Sequence, residues 1–532
     1  MTTHKYIIIG AGSAGCALAN RLSEKSTNTI LLIEAGPAKK IANISMPLGA
    51  SSLFKNKKYG WCYDSKNEPN LNNRSINTPR GKVLGGSSAT NGMVYIRGQQ
   101  ADFNNWESQG CAGWGYSDLL NYFRGIENNQ RLTDQYHGNF GDVWVDDIKY
   151  NLDISNDFIN AAIDRGIPRN NDFNGPIQEG VGFYQVNIKN GQRFSSYDAF
   201  IKPILKRKNL TIISNAHVKK IILSGNRAIG VDVQINNKSK SYMASNEVIL
   251  SAGTINSPKI LNLSGIGTKE QLKKLNIDTH IHNKNIGQNL QDHLTVNIAY
   301  GLDDAKTFTE HMSPAQMLLN LYKYTFYKKG LLTYPAADVG VFFKTDSKLE
   351  NPDAQIHFAP GAGEYDKSGK MKPRSGITAS VCFLRPTSKG HISLRTSNYL
   401  DNPIIHYNYL DSDLDKETMI KAFKITRDIF SSKVFNKYNP RHIFPSQHLN
   451  SDLEILNFIK ETALSVYHPV GTCKMGIDEF SVVDSRLKMY GVQNLRIADA
   501  SIIPTIISGN TNAICNVIGA KCADLITEDH PS

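Results

Sequence analysis

The sequence predicts an α/β protein with at least two domains, and three observations support this. The chain has 532 residues, whereas a single hydrophobic core stops growing at about 250–300 residues. Hydrophobic residues make up 40% of it and charged residues 20%, which is typical of globular domains and not of disordered chains. Near the N-terminus a β-branched run leads directly into glycines and then into a helix-like stretch, the order of a strand–turn–helix unit.

The N-terminal glycines have the spacing of a dinucleotide-binding turn. Gly10, Gly12 and Gly15 follow the first predicted strand in Gly-x-Gly-x-x-Gly order. Such glycines make the turn, admit a pyrophosphate against the backbone and let the helix pack on the strand. A second predicted strand, residues 29–33, ends in Glu34, which lies 19 residues beyond Gly15 and is suited to a ribose. This pattern predicts a cofactor with an ADP half and does not separate FAD from NAD.

Charge and cysteine usage exclude several classes of function. The net charge is +12 and the pI about 9.1, but lysines occur in short pairs such as Lys57–Lys58 and not in long blocks, so nucleic-acid binding is not expected. Seven widely spaced cysteines without a Cys-x-x-Cys pair predict reduced thiols, a cytoplasmic location and no metal site. No run reaches the ~20 apolar residues of a membrane span, so no transmembrane segment is expected, while peripheral membrane contact stays open.

Several motifs along the chain resemble those of one enzyme family. Residues 79–93 form a glycine- and serine-rich segment, and a second signature begins with Gly253-Thr254-Ile255-Asn256-Ser257-Pro258 and continues to residue 267. Further motifs occur in the family's order at residues 287–293, 385–390, 467–472 and 494–501. The chain thereby resembles the glucose-methanol-choline (GMC) oxidoreductases, and within them the choline dehydrogenase and alcohol dehydrogenase-like members.

The resemblance implies two domains and an FAD cofactor. A Rossmann-like FAD-binding domain is expected from residues 1–155, 195–300 and 462–532. An α+β substrate-binding domain, an antiparallel sheet flanked by helices, is expected from residues 156–194 and 301–461. The residues implied to contact FAD are Gly10, Gly12, Ser13, Ala14, Gly15, Glu34, Ala35, Arg80, Val83, Gly85, Gly86, Ser87, Asn91, Gly92, Met93, Val94, Val218, Ala252, Gly253, Asp499, Ala500, Asn510 and Thr511.

Two details concern how FAD is held and reduced. Some family members attach FAD covalently to a histidine near the end of the glycine- and serine-rich segment, but this chain has Ala89 and Thr90 there, so a non-covalent FAD is predicted. No second strand–glycine–helix fingerprint follows residue 40. The organic substrate is therefore expected to supply the electrons, and not a nicotinamide.

The resemblance also implies a catalytic pair, His468 and Asn510. Alcohol oxidation needs a base within about 2.6–3.2 Å of the hydroxyl group, and a histidine with an ordinary pKa near ~6.5 suits that task. Asn510 would donate a hydrogen bond to the developing alkoxide. The expected reaction is oxidation of an alcohol to an aldehyde, with a hydride passing from the alcohol carbon to flavin N5.

The substrate is predicted less narrowly. Asp338 stands where choline-processing relatives place a glutamate, and with Trp61 and Tyr467 as aromatic walls it favours a choline-like cation through cation–π contacts. A primary or aromatic alcohol without charge is the other choice. Residues 312–330 predict a helix that either covers the substrate entrance or lies on the surface, and Trp106, Trp114 and Phe123 are predicted to be core residues.

Other functions and partners are left open by the sequence. Hydroxynitrile lyases and light-driven fatty acid decarboxylases resemble the same family; His468 argues against a decarboxylase but does not exclude a lyase. A binding or scaffold protein would have no need of His468 and Asn510. The electron acceptor is expected to be oxygen, a quinone or another carrier, and the chain a monomer or homodimer.

Overall fold

The structure is a computed structural model that describes residues 2–38, 41–53, 56–365 and 371–531. Its helices and strands form two units, each built on a large sheet. The α-helices in this part of the chain are α1 (Ser13–Leu22), α2 (Ala42–Ser45), α3 (Gln100–Ser108), α4 (Tyr116–Ile126), α5 (Asp153–Asp164), α6 (Gly253–Leu263), α7 (Lys269–Lys274), α8 (Pro314–Tyr327), α9 (Asp413–Phe430), α10 (Asp452–Thr462) and α11 (Asn512–Asp529).

The chain passes between the two large sheets several times, so each sheet contains strands from separate parts of the sequence. They are β1 (Thr2–Ile9), β2 (Ile30–Ile33), β3 (Gly180–Phe183), β4 (Leu210–Ile213), β5 (Ala216–Ser224), β6 (Arg227–Ile235), β7 (Lys238–Leu250), β8 (Leu294–Gly301), β9 (Val339–Phe343), β10 (Ala354–Ala359), β11 (Gly376–Phe383), β12 (Arg441–Phe444), β13 (Leu464–Ser465) and β14 (Leu495–Ile497). Smaller ladders pair Gly60–Asp64 with Asn77–Gly81, Glu127–Asn129 with Val143–Asp147, Val143–Asp147 with Gln185–Val186, Ile188–Lys189 with Gln192–Arg193, Ile266–Gly267 with Ile281–His282, Ala362–Tyr365 with Met371–Arg374 and His391–Ser393 with Ile404–His406.

The first sheet has the order β4-β2-β1-β7-β6-β5, with β14 beside β7. Strands β4, β2, β1, β7 and β14 run parallel, whereas β5 and β6 form an antiparallel extension. Ile9 lies opposite Ile33 in the register. The carboxyl ends of β1 and β2 therefore meet at one edge of the sheet, where open α/β folds bind their ligands.

The second sheet is antiparallel, in the order β12-β8-β11-β10-β9-β3, with β13 beside β8. Its strands alternate between two faces, as pleated strands must. Val341 and Ile356 pack into a core shared with residues of α5, α9 and α10, while Phe342 belongs to a separate cluster with Val94. The predicted α/β class, with an antiparallel second sheet flanked by helices, is confirmed.

The predicted boundary at residue 300 does not coincide with the division between the two sheets. Residues 294–300 were assigned to the first unit, but β8 lies inside the second sheet, paired with β11 on one side and with β12 and β13 on the other. Strand β13, also assigned to the first unit, completes that ladder. The chain makes a turn at residues 284–287 and enters β8 at Leu294.

One further expectation is met by the packing. Trp106, Trp114 and Phe123 are fully buried in the core of the first unit. Among the described residues no helix has the length and apolarity needed to cross a membrane.

Candidate active site

A cleft opens at the carboxyl edge of the first sheet, where the three predicted stretches of the first unit meet. Fifteen of the residues predicted to contact FAD line it: Gly10, Gly12, Ser13, Ala14, Glu34, Ala35, Arg80, Gly86, Ser87, Val218, Ala252, Gly253, Asp499, Ala500 and Thr511. They come from the turns after β1 and β2, the glycine- and serine-rich segment, β5, the start of α6 and the C-terminal stretch. Chain folding thus gathers residues nearly 500 positions apart around one elongated space.

The glycine turn leaves room for a phosphate group. A Cβ atom on Gly12 would meet nothing within 4 Å, so this backbone faces open space at the start of α1. Gly86, at φ +54°, approaches so closely that a Cβ atom there would lie 2.7 Å from the Cα of Gly12. The first amides of α1 lack partners within the helix. The cradle between the two glycines therefore fits the pyrophosphate of a dinucleotide.

Glu34 is buried at the end of β2 and faces the same cleft. Its carboxylate accepts hydrogen bonds from the backbone N–H of Ala11 (3.0 Å) and of Gly36 (2.8 Å). Burial raises the pKa of Glu34 to about 7, against the effect of these two bonds. Each carboxylate oxygen has a further lone pair, so Glu34 can also accept a ribose hydroxyl.

Asp499 ties the C-terminal stretch to α6. Its carboxylate accepts hydrogen bonds from the N–H of Gly253 (2.9 Å), from the hydroxyl of Ser257 (2.6 Å) and from the N–H of Ser501 (2.8 Å). Burial raises the pKa of Asp499. This carboxylate holds the walls of the cleft together.

Eight of the residues predicted to contact FAD do not line the cleft: Gly15, Val83, Gly85, Asn91, Gly92, Met93, Val94 and Asn510. Gly15 packs against the carbonyl of Gly10, where a Cβ atom would overlap it. Val83 lies in a small apolar cluster, and Val94 packs beneath the second sheet.

His468 and Asn510 come together next to residues that line this cleft. The Nε2 atom of His468 lies 3.2 Å from the Nδ2 atom of Asn510, and the residues that follow them, Pro469 and Thr511, line the cleft itself. The backbone N–H of His468 donates to Asp292 (2.6 Å). The pair that the resemblance implied is thus one hydrogen-bonded unit, although 42 residues separate its members.

The protonation of His468 follows from a chain of partners. His293 places its Nε2 atom 3.0 Å from the carbonyl oxygen of Leu384, which can only accept. The neutral His293 ring must then carry its proton on Nε2, and its Nδ1 atom accepts from Nδ1–H of His468, 3.1 Å away. This leaves a lone pair on Nε2 of His468, to which Asn510 donates. The nitrogen that faces Asn510 is therefore the basic one.

Burial keeps these rings neutral. Burial, followed by the neighbouring histidines, holds the pKa of His468 well below its usual value. Burial likewise lowers the pKa of His293 and that of His357 to about 4. A neutral imidazole can accept a proton at ordinary pH, as a general base must.

The second sheet contributes polar groups that sequence reasoning missed. The side-chain amide of Gln355 donates to the hydroxyl of Tyr184 (2.9 Å) and lies 3.5 Å from the amide oxygen of Asn510. The Tyr184 hydroxyl also lies 3.0 Å from Nδ1 of His357. These residues lie outside the recognised motifs, so only their place on the pleat brings them to the site.

The predicted substrate-binding residues are only partly in place. The carboxylate of Asp338 is fully buried and accepts a hydrogen bond from Ser155 of α5 (2.6 Å), and burial raises its pKa to about 6. This carboxylate therefore also serves in packing α5 against the second sheet, and its contact with a substrate cation stays a prediction. Tyr467 adjoins His468 with a left-handed backbone (φ +67°).

Trp61 lines the cleft together with other aromatic side chains. Its ring stacks on Tyr63 at 5.8 Å and meets the edge of His217 at 5.7 Å, and all three line the cleft of the glycine turn. The ammonium group of Lys82 lies 4.7 Å from the centre of the ring. Trp61 therefore lines the dinucleotide cleft, and its role as a substrate wall stays a prediction.

Several further lining residues were not foreseen, among them Lys259 and Tyr399. The Nζ atom of Lys259 donates to the carbonyl of Tyr399 (2.7 Å), and burial lowers the pKa of this lysine to about 8. Lys259 lies within the second signature, which was the available signal. No cluster of three or more metal-ligating side chains occurs among the residues that the structure describes.

Comparisons with known proteins identify the family. The N-terminal family model of the GMC oxidoreductases matches residues 4–295, and the C-terminal model matches residues 386–519. The class is that of oxidoreductases acting on CH–OH donors. The chain belongs to the GMC oxidoreductase family.

Individual relatives cover nearly the whole chain. It is 41% identical to an alcohol dehydrogenase [acceptor] of Pseudomonas putida, over 98% of this chain and 95% of that one. It is 38% identical to an oxygen-dependent choline dehydrogenase of Brucella anthropi, over 98% and 95%. A formate oxidase of Aspergillus oryzae, a protein with a modified FAD, has the same fold with a TM-score of 0.91 at 26% identity, covering 99% of both chains. The family and this neighbour are FAD-binding flavoproteins.

Proposed function

We propose that this chain oxidises an alcohol to an aldehyde with a non-covalently bound FAD, and that His468 is the base. The observation that carries the proposal is the 3.2 Å contact between His468 and Asn510, next to residues that line the dinucleotide cleft. It is supported by the family and by the tautomer that His293 imposes on His468.

FAD would lie along the cleft, held by backbone and carboxylate groups already described. Gly12 and Gly86 would flank its pyrophosphate, Glu34 would accept a ribose hydroxyl, and Trp61 would cover one rim. When bound, FAD supplies the oxidant, a flavin whose N5 atom takes the hydride from the alcohol carbon. Ala89 and Thr90, where a covalent link would need a histidine, support a dissociable cofactor.

The chain's own residues would remove the hydroxyl proton of the alcohol and stabilise the resulting alkoxide. Nε2 of His468 accepts the hydroxyl proton, because its other ring nitrogen is already committed to His293. The amide of Asn510 donates a hydrogen bond to the developing alkoxide, and it does not compete for the proton. Asp292 fixes the backbone of His468 through the 2.6 Å bond.

We propose an uncharged primary or aromatic alcohol as the substrate, with a choline-like cation as the second candidate. The hydrogen bond from Ser155 to the buried Asp338 supports this choice, because it occupies one oxygen of the carboxylate that was expected to balance a quaternary ammonium. The Pseudomonas putida relative, at 41% identity, is named for alcohol and not for choline. The second sheet, which carries Tyr184 and Gln355, is proposed to form the substrate-binding domain.

The names of relatives and the state of the cysteines bear on the electron acceptor and on the cellular location. Relatives are named for an unspecified acceptor and for oxygen, and we propose oxygen, a quinone or a similar carrier. A cytoplasmic location is proposed because no disulfide joins the cysteines of the described residues. We propose that the chain is a monomer or a homodimer.

The test is anaerobic mixing of the purified yellow protein with a panel of alcohols that includes choline. Bleaching of the visible flavin band by neutral alcohols is expected, because the substrate itself delivers the hydride. The His468→Ala variant should keep its FAD and lose about 10²–10⁴ in kcat/KM. A band that persists while substrate is consumed would instead indicate a lyase. Yellow colour retained in an acid-precipitated pellet would contradict the non-covalent FAD.

A further inference from the structure

Helix α8 presents large apolar side chains to solvent. Leu318 and Phe326 are each 70% exposed. Exposed apolar or aromatic side chains of this helix are Leu318, Leu319, Leu321, Tyr322, Phe326 and Tyr327. The side turned toward the protein carries Asn320 and Tyr324, which are buried. Soluble monomers rarely expose apolar groups this close together without a partner for them.

The helix is nevertheless well anchored. Ser313 caps its first turn by accepting a hydrogen bond from the N–H of Gln316 (3.3 Å), and Pro314 occupies the first helical position. The side-chain amide of Asn320 donates to the carbonyl of His311 (3.0 Å). These polar contacts fix the orientation of α8 and leave its apolar side outward.

The charges beside this apolar side are positive. Lys323, Lys328 and Lys329 lie on the helix or directly after it, and residues 311–337 contain no aspartate or glutamate. The nearest acidic residue in sequence, Glu310, already accepts hydrogen bonds from the N–H (2.5 Å) and the hydroxyl (3.1 Å) of Thr307. The surface is therefore apolar and cationic.

We propose that helix α8 is a docking surface for an anionic lipid bilayer. The six exposed side chains would enter the boundary between headgroups and acyl chains, and the three lysines would contact lipid phosphates. A helix of 14 residues is about 21 Å long, shorter than the ~30 Å hydrocarbon core, so it lies in the plane of the surface. Tyrosine and lysine beside leucine and phenylalanine are the side chains that this interface accepts.

Charge favours a bilayer over a second copy of the chain. In a symmetric dimer through α8, the same patch from each copy would bring the lysine clusters together, with no acidic residue of this segment to pair with them. Anionic headgroups complement the three lysines instead. The proposal does not depend on which substrate the enzyme oxidises.

The experiment is flotation of the full-length, FAD-loaded protein with vesicles. Vesicles of equal parts phosphatidylcholine and phosphatidylglycerol are expected to carry the protein upward at low salt, and vesicles of phosphatidylcholine alone much less. Replacing Leu318→Ser and Phe326→Ser together should lower the affinity about 100-fold, tenfold for each side chain. Replacing Lys328→Gln and Lys329→Gln together should lower it about 10- to 30-fold.

Matched variants elsewhere provide the controls. Phe140→Ser removes an apolar side chain that is 94% exposed in another segment, and Lys206→Gln with Lys208→Gln removes two exposed charges; both proteins should float like the parent. Flavin absorbance and melting temperature verify that every variant is folded. Failure to float with anionic vesicles, or equal flotation of the Leu318→Ser, Phe326→Ser protein, would overturn the proposal. So would a dimer that this variant converts to a monomer.

Discussion

His293 and His468 face each other through like atoms, with their Nδ1 nitrogens 3.1 Å apart. Two such nitrogens form a hydrogen bond only if one carries the proton and the other does not. The carbonyl of Leu384 decides which ring carries the proton, because it only accepts hydrogen bonds. The single N–H of a neutral His293 must therefore be on Nε2, opposite Nδ1. His293 is therefore a positioning residue, which acts on the substrate only through His468.

The first prediction tests that role. His293→Phe removes the acceptor for Nδ1–H of His468, so the base can adopt the other tautomer; we expect kcat/KM to fall about 10- to 100-fold. His293→Gln offers an amide oxygen to the same hydrogen and should recover most of the loss. The measurement is steady-state kinetics at equal FAD content. Equal losses in the two variants would show that His293 merely fills space.

A second prediction concerns stability at mildly acidic pH. The pKa of His293 is about 4 in the folded chain and near ~6.5 when unfolded. The unfolded state therefore binds more protons between these pH values. The contribution of His293 to the free energy of unfolding is intact above pH ~6.5 and is lost as the pH falls toward 4. His357 acts in the same direction.

The comparison must be made between variants, because Glu34 has its pKa raised by burial to about 7 and acts in the opposite direction. The drop in Tm between pH 7.5 and pH 5 should be smaller in His293→Gln, which has no imidazole to titrate, than in the parent. At pH 5 the difference corresponds to roughly 2 kcal/mol. An identical drop in both proteins would mean that His293 does not titrate in this way.

A third prediction separates cofactor binding from folding. Gly12 has φ −76°, which any residue adopts, and its Cβ would project into empty space in the cleft. Gly12→Val should therefore fold normally but bind FAD at least ~10-fold more weakly, because the side chain takes the place of the pyrophosphate. The measurement is FAD content together with the Tm of the apoprotein.

Gly125 in α4 is the matched control, since a Cβ there also meets nothing within 4 Å and lies outside the cleft. Gly125→Val should retain FAD as the parent does. If both variants kept FAD, the cofactor would not rest against Gly12.

The fourth prediction follows from the position of Trp61. Because its ring stacks on Tyr63 at the rim of the cleft, Trp61→Ala should weaken FAD binding about 3- to 10-fold and leave KM for the alcohol nearly unchanged. Titration of the apoprotein with FAD and steady-state kinetics at saturating FAD measure the two quantities. A raised KM with normal FAD affinity would restore Trp61 as a substrate wall.

The sequence was sufficient for features that depend on local sterics and on motif order. The turn at Gly10 must be glycine because its φ is +100°, and the spacing to Glu34 reflects one strand–helix–strand unit. His468 and Asn510 were found because each stands in a short motif, and a motif keeps its local backbone wherever the chain places it. The α/β class and the two-sheet architecture were predictable for the same reason.

Only the tertiary structure decided which distant groups meet. Whether Asp338 points to a substrate or to Ser155 depends on how α5 packs on the second sheet, and no local pattern encodes that choice. The same holds for His293, which lies 175 residues from His468 in sequence and whose proton is set by the carbonyl of Leu384. Side-chain partners across elements arise from packing, which follows from the whole chain and not from any one motif.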